Sequence, residues 1–224
     1  HPAARAVIDA GGGYIAAPSA NTSGRPSPTR AEHVAEDLDG RIEMIVDGGP
    51  VEIGVESTIL DMTVTPPMIL RPGAVTREML EELIGEVAVD QTILKADSRT
   101  APKAPGMKYR HYAPKANLVV VEGEVEKVTA WIRETAATKQ QEGKRVGIIA
   151  TEETKESYPD GDVKVAGTRA DEATIASSLY GILREFDGDG VDEIYSEAFA
   201  SGGIGAAVMN RLLKAAGHQV IRIT

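Results

Sequence analysis

The second half of the chain alternates short apolar runs with longer segments whose apolar residues recur at helical spacing, and this alternation restricts its fold more than any other feature. Consecutive parallel strands need a long crossover connection, usually a helix, so the alternation predicts a parallel sheet with helices on both faces. Residues 116–224 are therefore predicted to form a small Rossmann-like domain. The predicted strands are 118–121, 146–150, 163–166, 194–196 and 220–223, and the predicted helices are 125–137, 171–186 and 206–216.

Residues 1–90 lack that regular alternation and are predicted to belong to a separate α/β domain. Thr29 and Glu32 have the spacing of a capping box before one helix, and Thr76 is a candidate N-cap for another. His33 is expected on a helix surface. The predicted helices are 3–10, 33–38 and 77–84, and the predicted strands are 14–17, 42–46, 57–62, 68–70 and 87–89. Because residues 3–10 resemble the end of a helix that the glycines at 11–13 stop, the chain is expected to begin inside a domain.

Residues 91–115 show neither helical nor strand periodicity, and they contain three prolines. They are therefore predicted to link the two halves. Within this linker, the run 108–114 holds two tyrosines, an arginine and a histidine. Aromatic and cationic side chains of this kind could fold over a nucleotide as a lid, or could simply pack between the domains. The residues alone leave both interpretations open.

Charge and composition exclude several classes of function. The chain has no cysteine, which excludes disulfides and thiolate metal sites, and its four histidines show no metal-ligand spacing. The formal net charge of −10 disfavours strong direct binding to nucleic acid. No apolar run reaches the roughly 18 residues that span a bilayer, so no membrane association and a cytoplasmic location are expected.

Three motifs place polar side chains next to predicted strands. The run 17–29 joins a strand to a helix and is rich in hydroxyl groups; such a run suits phosphate binding, although it could equally be an ordinary turn rich in serine and proline. Glu56 and Ser57 begin a strand after a turn. Arg71 directly follows another strand, where an arginine could bind a phosphate or carboxylate with two hydrogen bonds or could remain a solvated surface residue.

In order and spacing, these motifs resemble those of the threonylcarbamoyl-AMP synthase family. The matching runs are Pro-Ser-Ala-Asn-x-Ser-Gly-Arg-Pro-Ser-Pro-Thr at 18–29, Glu-Ser-Thr-Ile at 56–59, Arg-Pro-Gly at 71–73, His-Tyr-Ala-Pro at 111–114 and Gly-Ile-Gly-Ala-Ala-Val-Met-Asn-Arg at 203–211. The resemblance covers essentially the whole chain. It implies an α/β fold with the C-terminal part of a YrdC-like catalytic domain at 1–90, an interdomain linker or lid at 91–115 and a Rossmann-like C-terminal domain at 116–224.

Relatives of this kind carry a further N-terminal segment with a Lys-x-Arg type motif, which has no counterpart in this sequence. The chain alone is therefore expected to have weak or no synthase activity, unless that segment is supplied by a separate chain or belongs to a longer form of the protein. The resemblance implies a nucleotidyltransferase that combines L-threonine, bicarbonate and ATP, with Mg²⁺, into threonylcarbamoyl-adenylate and pyrophosphate. A separate complex would then transfer the threonylcarbamoyl group to adenosine in tRNA.

No residue stands out as a nucleophile, a general base or a metal ligand, so positioning and charge stabilisation would supply the catalysis. The alternative is a non-catalytic RNA- or nucleotide-binding translation regulator of the same fold. By the same resemblance, the residues that bind ATP are Ser19, Asn21, Ser27, Arg71 and Tyr109; those that bind threonine and the adenylate are Ala17 and Ser57; and those that form a water-excluding lid are Arg110, His111 and Tyr112.

Overall fold

The computed structural model describes residues 1–90, residue 93 and residues 112–224. Two sheets organise these residues, one of three strands in the N-terminal region (residues 1–90) and one of five strands in the C-terminal region (residues 112–224). The predicted α/β class is confirmed. Within the part of the chain that is described, no helix is both long enough and apolar enough to cross a membrane.

The N-terminal region contains three helices and a small mixed sheet. In chain order its elements are α1 (Pro2–Ala10), α2 (Ala31–Leu38), β1 (Ile59–Asp61), β2 (Met68–Arg71), α3 (Arg77–Ile84) and β3 (Ala88–Val89). Strand β2 lies in the middle, antiparallel to β1 and parallel to β3. The cap predicted for α3 is confirmed, since the hydroxyl of Thr76 accepts a hydrogen bond from the amide of Met79 at 3.4 Å.

Two strands predicted in the N-terminal region are wrong. Residues 14–17 and 42–46 belong to neither sheet, and their side chains are largely exposed: Tyr14 is 92% exposed and Met44 76%. Apolar residues favour a strand only where a neighbouring strand pairs with the backbone amide and carbonyl groups. No strand of the described residues lies alongside these two segments, so they stay irregular.

The predicted start of α2 is also wrong. Arg30 is its N-cap residue, and no side chain accepts a hydrogen bond there. The amide of Thr29 instead donates to Nδ1 of His33 at 3.1 Å, and His33 is buried, so the expectation of a surface histidine is wrong as well. Burial and the nearby charge of Arg184 lower the pKa of His33.

The C-terminal region is a parallel sheet whose strands alternate with helices, as predicted. Its elements are β4 (Asn117–Glu122), α4 (Val125–Gln141), β5 (Val146–Ala150), a short 3-10 helix (Lys155–Ser157), β6 (Asp162–Val165), α5 (Glu172–Asp189), β7 (Glu193–Glu197), α6 (Gly205–Ala215) and β8 (Val220–Arg222). The strand order is β6-β5-β7-β4-β8, and every neighbouring pair is parallel.

Apolar residues cover both faces of this sheet. Along β4, Leu118 and Val120 belong to one core cluster, whereas Val119 and Val121 belong to another. The first cluster includes buried residues of α5 and α6, and the second includes those of α4. Because successive side chains of a strand point to opposite faces, helices cover the sheet on both sides, which is the doubly wound arrangement that the alternating pattern predicts.

Helices α5 and α6 also pack against the N-terminal region. Gly54, with a φ of +72°, lies so close to α5 that a Cβ atom there would be 2.7 Å from the carbonyl oxygen of Ser177. Glycine alone tolerates this combination of backbone angle and close approach. The side of α5 and α6 that meets the N-terminal region carries Tyr180, Arg184 and Arg211, whose side chains hydrogen-bond to it.

Candidate functional site

A cavity of about 750 Å³ lies where four separated segments of the chain meet. Seven residues that the sequence resemblance assigns to the site line this cavity: Ala17, Ser19, Asn21, Ser27, Ser57, Arg71 and Tyr112. Its other lining residues are Pro18, Ser23, Gly24, Arg25 and Glu56. The structure therefore brings the loop 17–27, the segment before β1, the end of β2 and the end of the predicted linker together around one space.

The end of β2 and the segment before β1 approach each other closely at the cavity. Nε of Arg71 donates a hydrogen bond to the carbonyl oxygen of Ser57 at 3.0 Å. Gly73 allows this approach, because a Cβ atom there would lie 2.7 Å from the carbonyl oxygen of Glu56. A guanidinium group and a serine that line the same cavity suit the binding of a phosphate or a carboxylate.

Glu56 accepts hydrogen bonds from both regions of the molecule. Ser27 donates to its Oε1 at 2.7 Å, and the hydroxyl of Tyr180 and Nε of Arg211 donate to its Oε2 at 2.9 and 2.8 Å. Burial alone would raise the pKa of this carboxyl, but the charge and hydrogen bond of Arg211, together with the hydrogen bond from Ser27, hold the pKa below its ordinary value. Glu56 is therefore an ionised structural acceptor in the cavity wall.

Arg211, on α6, joins two of the segments that line the cavity. Its side chain is completely buried, and in addition to the ion pair with Glu56 it donates to two backbone carbonyl groups. Nη2 donates to the carbonyl oxygen of Glu56 at 3.1 Å, and Nη1 donates to that of Pro72 at 2.6 Å. One side chain of the C-terminal region thus contacts the residue before Ser57 and the residue after Arg71.

A second buried arginine, Arg184 on α5, holds the loop 17–27. Its Nε and Nη2 donate to the carbonyl oxygen of Pro26 at 3.1 and 2.7 Å, and Nη2 also donates to Asp37 at 3.0 Å. Asp37, on α2, further accepts hydrogen bonds from the amide of Thr22 at 3.0 Å and from Arg25. The loop is therefore fastened both to α2 and to the C-terminal region.

Asn21 carries a buried oxygen atom, Oδ1, that has no hydrogen-bond partner among the described residues. Its Nδ2 group donates to the carbonyl oxygens of Thr22 at 2.9 Å and of Arg25 at 3.3 Å, which fixes the orientation of the amide. Leaving a buried acceptor unpaired costs free energy unless water or a ligand donates to it. Asn21, which lines the cavity, therefore carries an acceptor that still lacks a donor.

Tyr112 lines the cavity with a ring that packs on Tyr180 of α5, with ring centroids 5.0 Å apart. Its φ of +65° is unusual for a tyrosine, and the side chain is buried. Burial and the negative charge of Glu56 raise the pKa of Tyr112, so the phenol is neutral. The other residues predicted for the nucleotide and the lid lie outside the described residues: Tyr109, Arg110 and His111.

The cavity offers hydroxyl groups, a carboxamide and guanidinium groups. Among the described lining residues only Glu56 is a carboxylate, and it already accepts three hydrogen bonds from side chains of both regions. Nowhere in residues 1–90 or 112–224 do three His, Asp or Glu side chains cluster in a way that could hold a metal ion. Such a lining suits a ligand with anionic groups and hydroxyl or amine donors.

Reasoning from the sequence gave no role to Glu56, Tyr180, Arg184 or Arg211. Glu56 and Arg211 lie inside two of the runs that carry the family resemblance, and that position is a signal that could have found them. Arg184 interrupts the apolar face of a predicted buried helix, which also indicates a paired charge. Nothing in the sequence indicates which acceptor each arginine meets, because those acceptors lie in distant segments.

Two family models match the chain. The model described as the C-terminal domain of threonylcarbamoyl-AMP synthase matches residues 75–217, and a Sua5/YciO/YrdC model described as telomere recombination matches residues 1–73. Together they account for nearly all of the chain, and the first alone matches more than half of it.

Similar proteins are known from a bacterium and an archaeon. The chain is 52% identical over 222 residues to the threonylcarbamoyl-AMP synthase of Bacillus subtilis. This alignment covers 99% of the chain and 62% of that protein. It is 48% identical over 223 residues to the threonylcarbamoyl-AMP synthase of Pyrococcus abyssi. That alignment covers 100% of the chain and 64% of that protein. The chain thus spans slightly less than two thirds of these relatives.

The fold also matches a solved structure. The crystal structure of P. abyssi Sua5 complexed with L-threonine superimposes with a TM-score of 0.90 at 46% sequence identity, covering 100% of this chain and 64% of that one. At this level of identity and overlap, the arrangement of the two sheets is shared.

Proposed function

Because the chain belongs to the threonylcarbamoyl-AMP synthase family, we propose that it carries the ATP and threonine site of an enzyme that makes threonylcarbamoyl-adenylate. L-threonine, bicarbonate and ATP are the substrates, and pyrophosphate is the second product. A separate complex uses the adenylate to form N6-threonylcarbamoyladenosine in tRNA, and the reaction takes place in the cytoplasm. The chain spans slightly less than two thirds of the length of these relatives. The complete activity is therefore proposed for a protein of the relatives' full length.

The observation that carries the proposal is that one cavity of about 750 Å³ collects seven residues assigned by resemblance from four segments of the chain. That volume lies within the usual range for small-molecule sites. The P. abyssi relative was solved with L-threonine, which supports an amino-acid subsite in this family. We assign that subsite to the hydroxyl of Ser57 and the backbone of Ala17.

ATP occupies the remaining part of the cavity. Nε of Arg71 donates a hydrogen bond to the carbonyl oxygen of Ser57, which fixes the guanidinium plane. The terminal nitrogens of the guanidinium group can then bind phosphate oxygens. Ser19 and Ser27 offer hydroxyl groups to the nucleotide. The unpartnered Oδ1 of Asn21 accepts a hydrogen bond from an amino or hydroxyl group of the bound nucleotide.

The chemistry proceeds in two steps. The amine of threonine attacks the carbon of bicarbonate or of the CO₂ derived from it, forming an N–C bond and releasing water, and the product is a carbamate. A carbamate oxygen then attacks the α-phosphorus of ATP, and the bond from that phosphorus to the β-phosphate oxygen breaks as pyrophosphate leaves. Arg71 stabilises the negative charge that develops on the phosphates, and the fixed cavity wall aligns the reacting atoms.

Mg²⁺ accompanies ATP as part of the substrate. The cavity lining contains no carboxylate that is free to bind the ion among the described residues, so the phosphates and water supply its ligands. Tyr112, buried against Tyr180, forms the base of a lid to which we also assign Tyr109, Arg110 and His111. A closed lid protects the labile carbamoyl-adenylate from hydrolysis.

Calorimetric titration of the chain with ATP and Mg²⁺, with and without L-threonine, tests this proposal. We expect threonine to strengthen the binding of ATP, because the two ligands are proposed to occupy adjoining parts of one cavity and to contact each other there. In R71Q, the loss of charge-assisted hydrogen bonds, worth roughly 1.5–3 kcal/mol, should weaken ATP binding by about 10-fold or more.

R77Q is the matched control. Arg77 is also an arginine close to the end of β2, but it pairs with Glu81 at 2.8 Å on the surface of α3 and does not line the cavity. It should bind ATP as the unaltered chain does. A folded chain that binds neither ligand, or equal losses in R71Q and R77Q, would contradict the assignment of this cavity.

A further inference from the structure

We infer that Arg211, on α6 of the C-terminal region, is a positioning residue for the substrate cavity, which makes that region part of the machinery of the site. The inference rests on the proposed function, because the ligands whose binding it controls are those proposed above. Arg211 does not line the cavity itself. It acts through the two segments on which Ser57 and Arg71 lie.

The guanidinium group of Arg211 uses three nitrogens on three acceptors of the N-terminal region. Nε donates to Oε2 of Glu56 at 2.8 Å, Nη2 to the carbonyl oxygen of Glu56 at 3.1 Å and Nη1 to the carbonyl oxygen of Pro72 at 2.6 Å. Nη1 also contacts Oδ1 of Asn210 at 3.3 Å. Two of these acceptors are backbone atoms, so the contact determines where the chain lies as well as pairing a charge.

These backbone acceptors adjoin the residues proposed to bind ligand. Glu56 immediately precedes Ser57, and Pro72 immediately follows Arg71. The rigid, planar guanidinium group therefore sets the distance between the two segments from behind, while the hydrogen bond from Arg71 to Ser57 links them at the cavity. Sites of this kind need support from the residues behind them, because small displacements of ligand-binding groups reduce affinity and rate.

Tyr180 strengthens the same connection from α5. Its hydroxyl donates to Glu56 at 2.9 Å, and its ring packs on Tyr112 in the cavity wall. Both Tyr180 and Arg211 are completely buried between the regions. The C-terminal region thus reaches the cavity through the backbone on one side and through an aromatic ring on the other.

The substitution R211K separates positioning from charge pairing. Lysine keeps the positive charge that Glu56 needs, but a single ammonium group cannot reach the carboxylate and both carbonyl oxygens in the same planar geometry. We expect R211K to stay folded and to bind ATP and L-threonine about 10- to 100-fold more weakly than the unaltered chain. We also expect faster hydrogen exchange that is confined to the amides of residues 54–58, 71 and 73–75, since Pro72 has no amide hydrogen. A second variant, R211M, should show the same loss of affinity and the same faster exchange. If R211M does not fold, the affinity and exchange of R211K alone test the inference.

R169M is the matched control, because Arg169 forms a comparable ion pair with the buried Glu197 at 2.6 Å entirely within the C-terminal region. It should lower stability without a selective change in residues 54–58 and 71–75 or in ligand affinity. Unchanged affinity and exchange in R211K would overturn the inference, and so would losses that R169M reproduces.

Hydrogen exchange needs no ligand, so it separates this inference from the proposed function. If the unaltered chain binds neither ligand while R211K still loosens residues 54–58 and 71–75, the proposed function fails and the positioning of these segments by Arg211 stands. If the unaltered chain binds both ligands and R211K behaves like it in both measurements, the proposed function stands and the inference fails.

Discussion

The buried pair of Arg184 and Asp37 is the point at which a single substitution should weaken the contact between the two regions most. The side chain of Arg184 is 2% exposed and that of Asp37 is completely buried. R184M keeps the apolar stem of the arginine but removes the hydrogen bonds to Asp37 and to the carbonyl oxygen of Pro26. Asp37 would then remain buried with one cation fewer beside it.

The expected loss of stability follows from these contacts. Removing one partner of a buried ion pair costs about 3–5 kcal/mol, mainly because the other charge is left without compensation. Asp37 keeps a hydrogen bond from the amide of Thr22 and its pairing with Arg25, so we expect the lower end, about 3 kcal/mol. For a chain of this size each kcal/mol lowers Tm by roughly 2–4 °C, which gives a decrease of about 6–12 °C.

Urea denaturation followed by circular dichroism measures this loss, and a double-mutant cycle with D37N isolates the pair. The double variant should lose less stability than the sum of the single losses, since neither partner is left charged and alone. R222M is the control, because Arg222 pairs with Glu122 on the surface with 78% of its side chain exposed, and surface substitutions usually change stability by less than about 0.5 kcal/mol. A loss in R184M no larger than in R222M, or additive losses in the cycle, would refute the reasoning.

Two further predictions concern the cavity wall. G73A should destabilise the chain by about 1–3 kcal/mol in urea denaturation, because a Cβ atom at Gly73 would overlap the amide nitrogen of Thr58 and lie 2.7 Å from the carbonyl oxygen of Glu56. The control G188A should not destabilise it, because a Cβ atom at Gly188 would have no atom within 4 Å. The lowered pKa of Glu56 predicts acid sensitivity: an unfolded glutamate takes up a proton near pH 4.3 while the folded one stays ionised, so stability is present above that pH and is lost as the pH falls through the folded pKa. E56Q should therefore show a shallower decline of unfolding free energy below about pH 4.3, and an unchanged slope would contradict the assignment.

Much of the fold could be predicted from local patterns. The alternation of apolar runs and helical segments after residue 116 predicted every strand of the five-stranded sheet. The signal is clearest for β4 and β5, which are buried on both faces and so have continuous apolar sequences. The same reasoning failed at 14–17 and 42–46, where apolar residues occur without a strand to pair with. Sequence patterns record the preference of a segment, whereas pairing depends on a partner elsewhere.

The candidate site divides in the same way. The sequence by itself determined which residue types are present. The order and spacing of the runs at 18–29, 56–59, 71–73, 111–114 and 203–211 were enough to indicate a family, and through it seven residues that line one cavity. It could not indicate that Arg184 holds the carbonyl of Pro26 or that Arg211 spans Glu56 and Pro72. Those partners lie far away along the chain, and each guanidinium group could have paired with many acceptors. Only the packing of α5 and α6 against the N-terminal region decided which acceptors they meet, because a buried donor must bond to whatever the folded chain brings within about 3 Å.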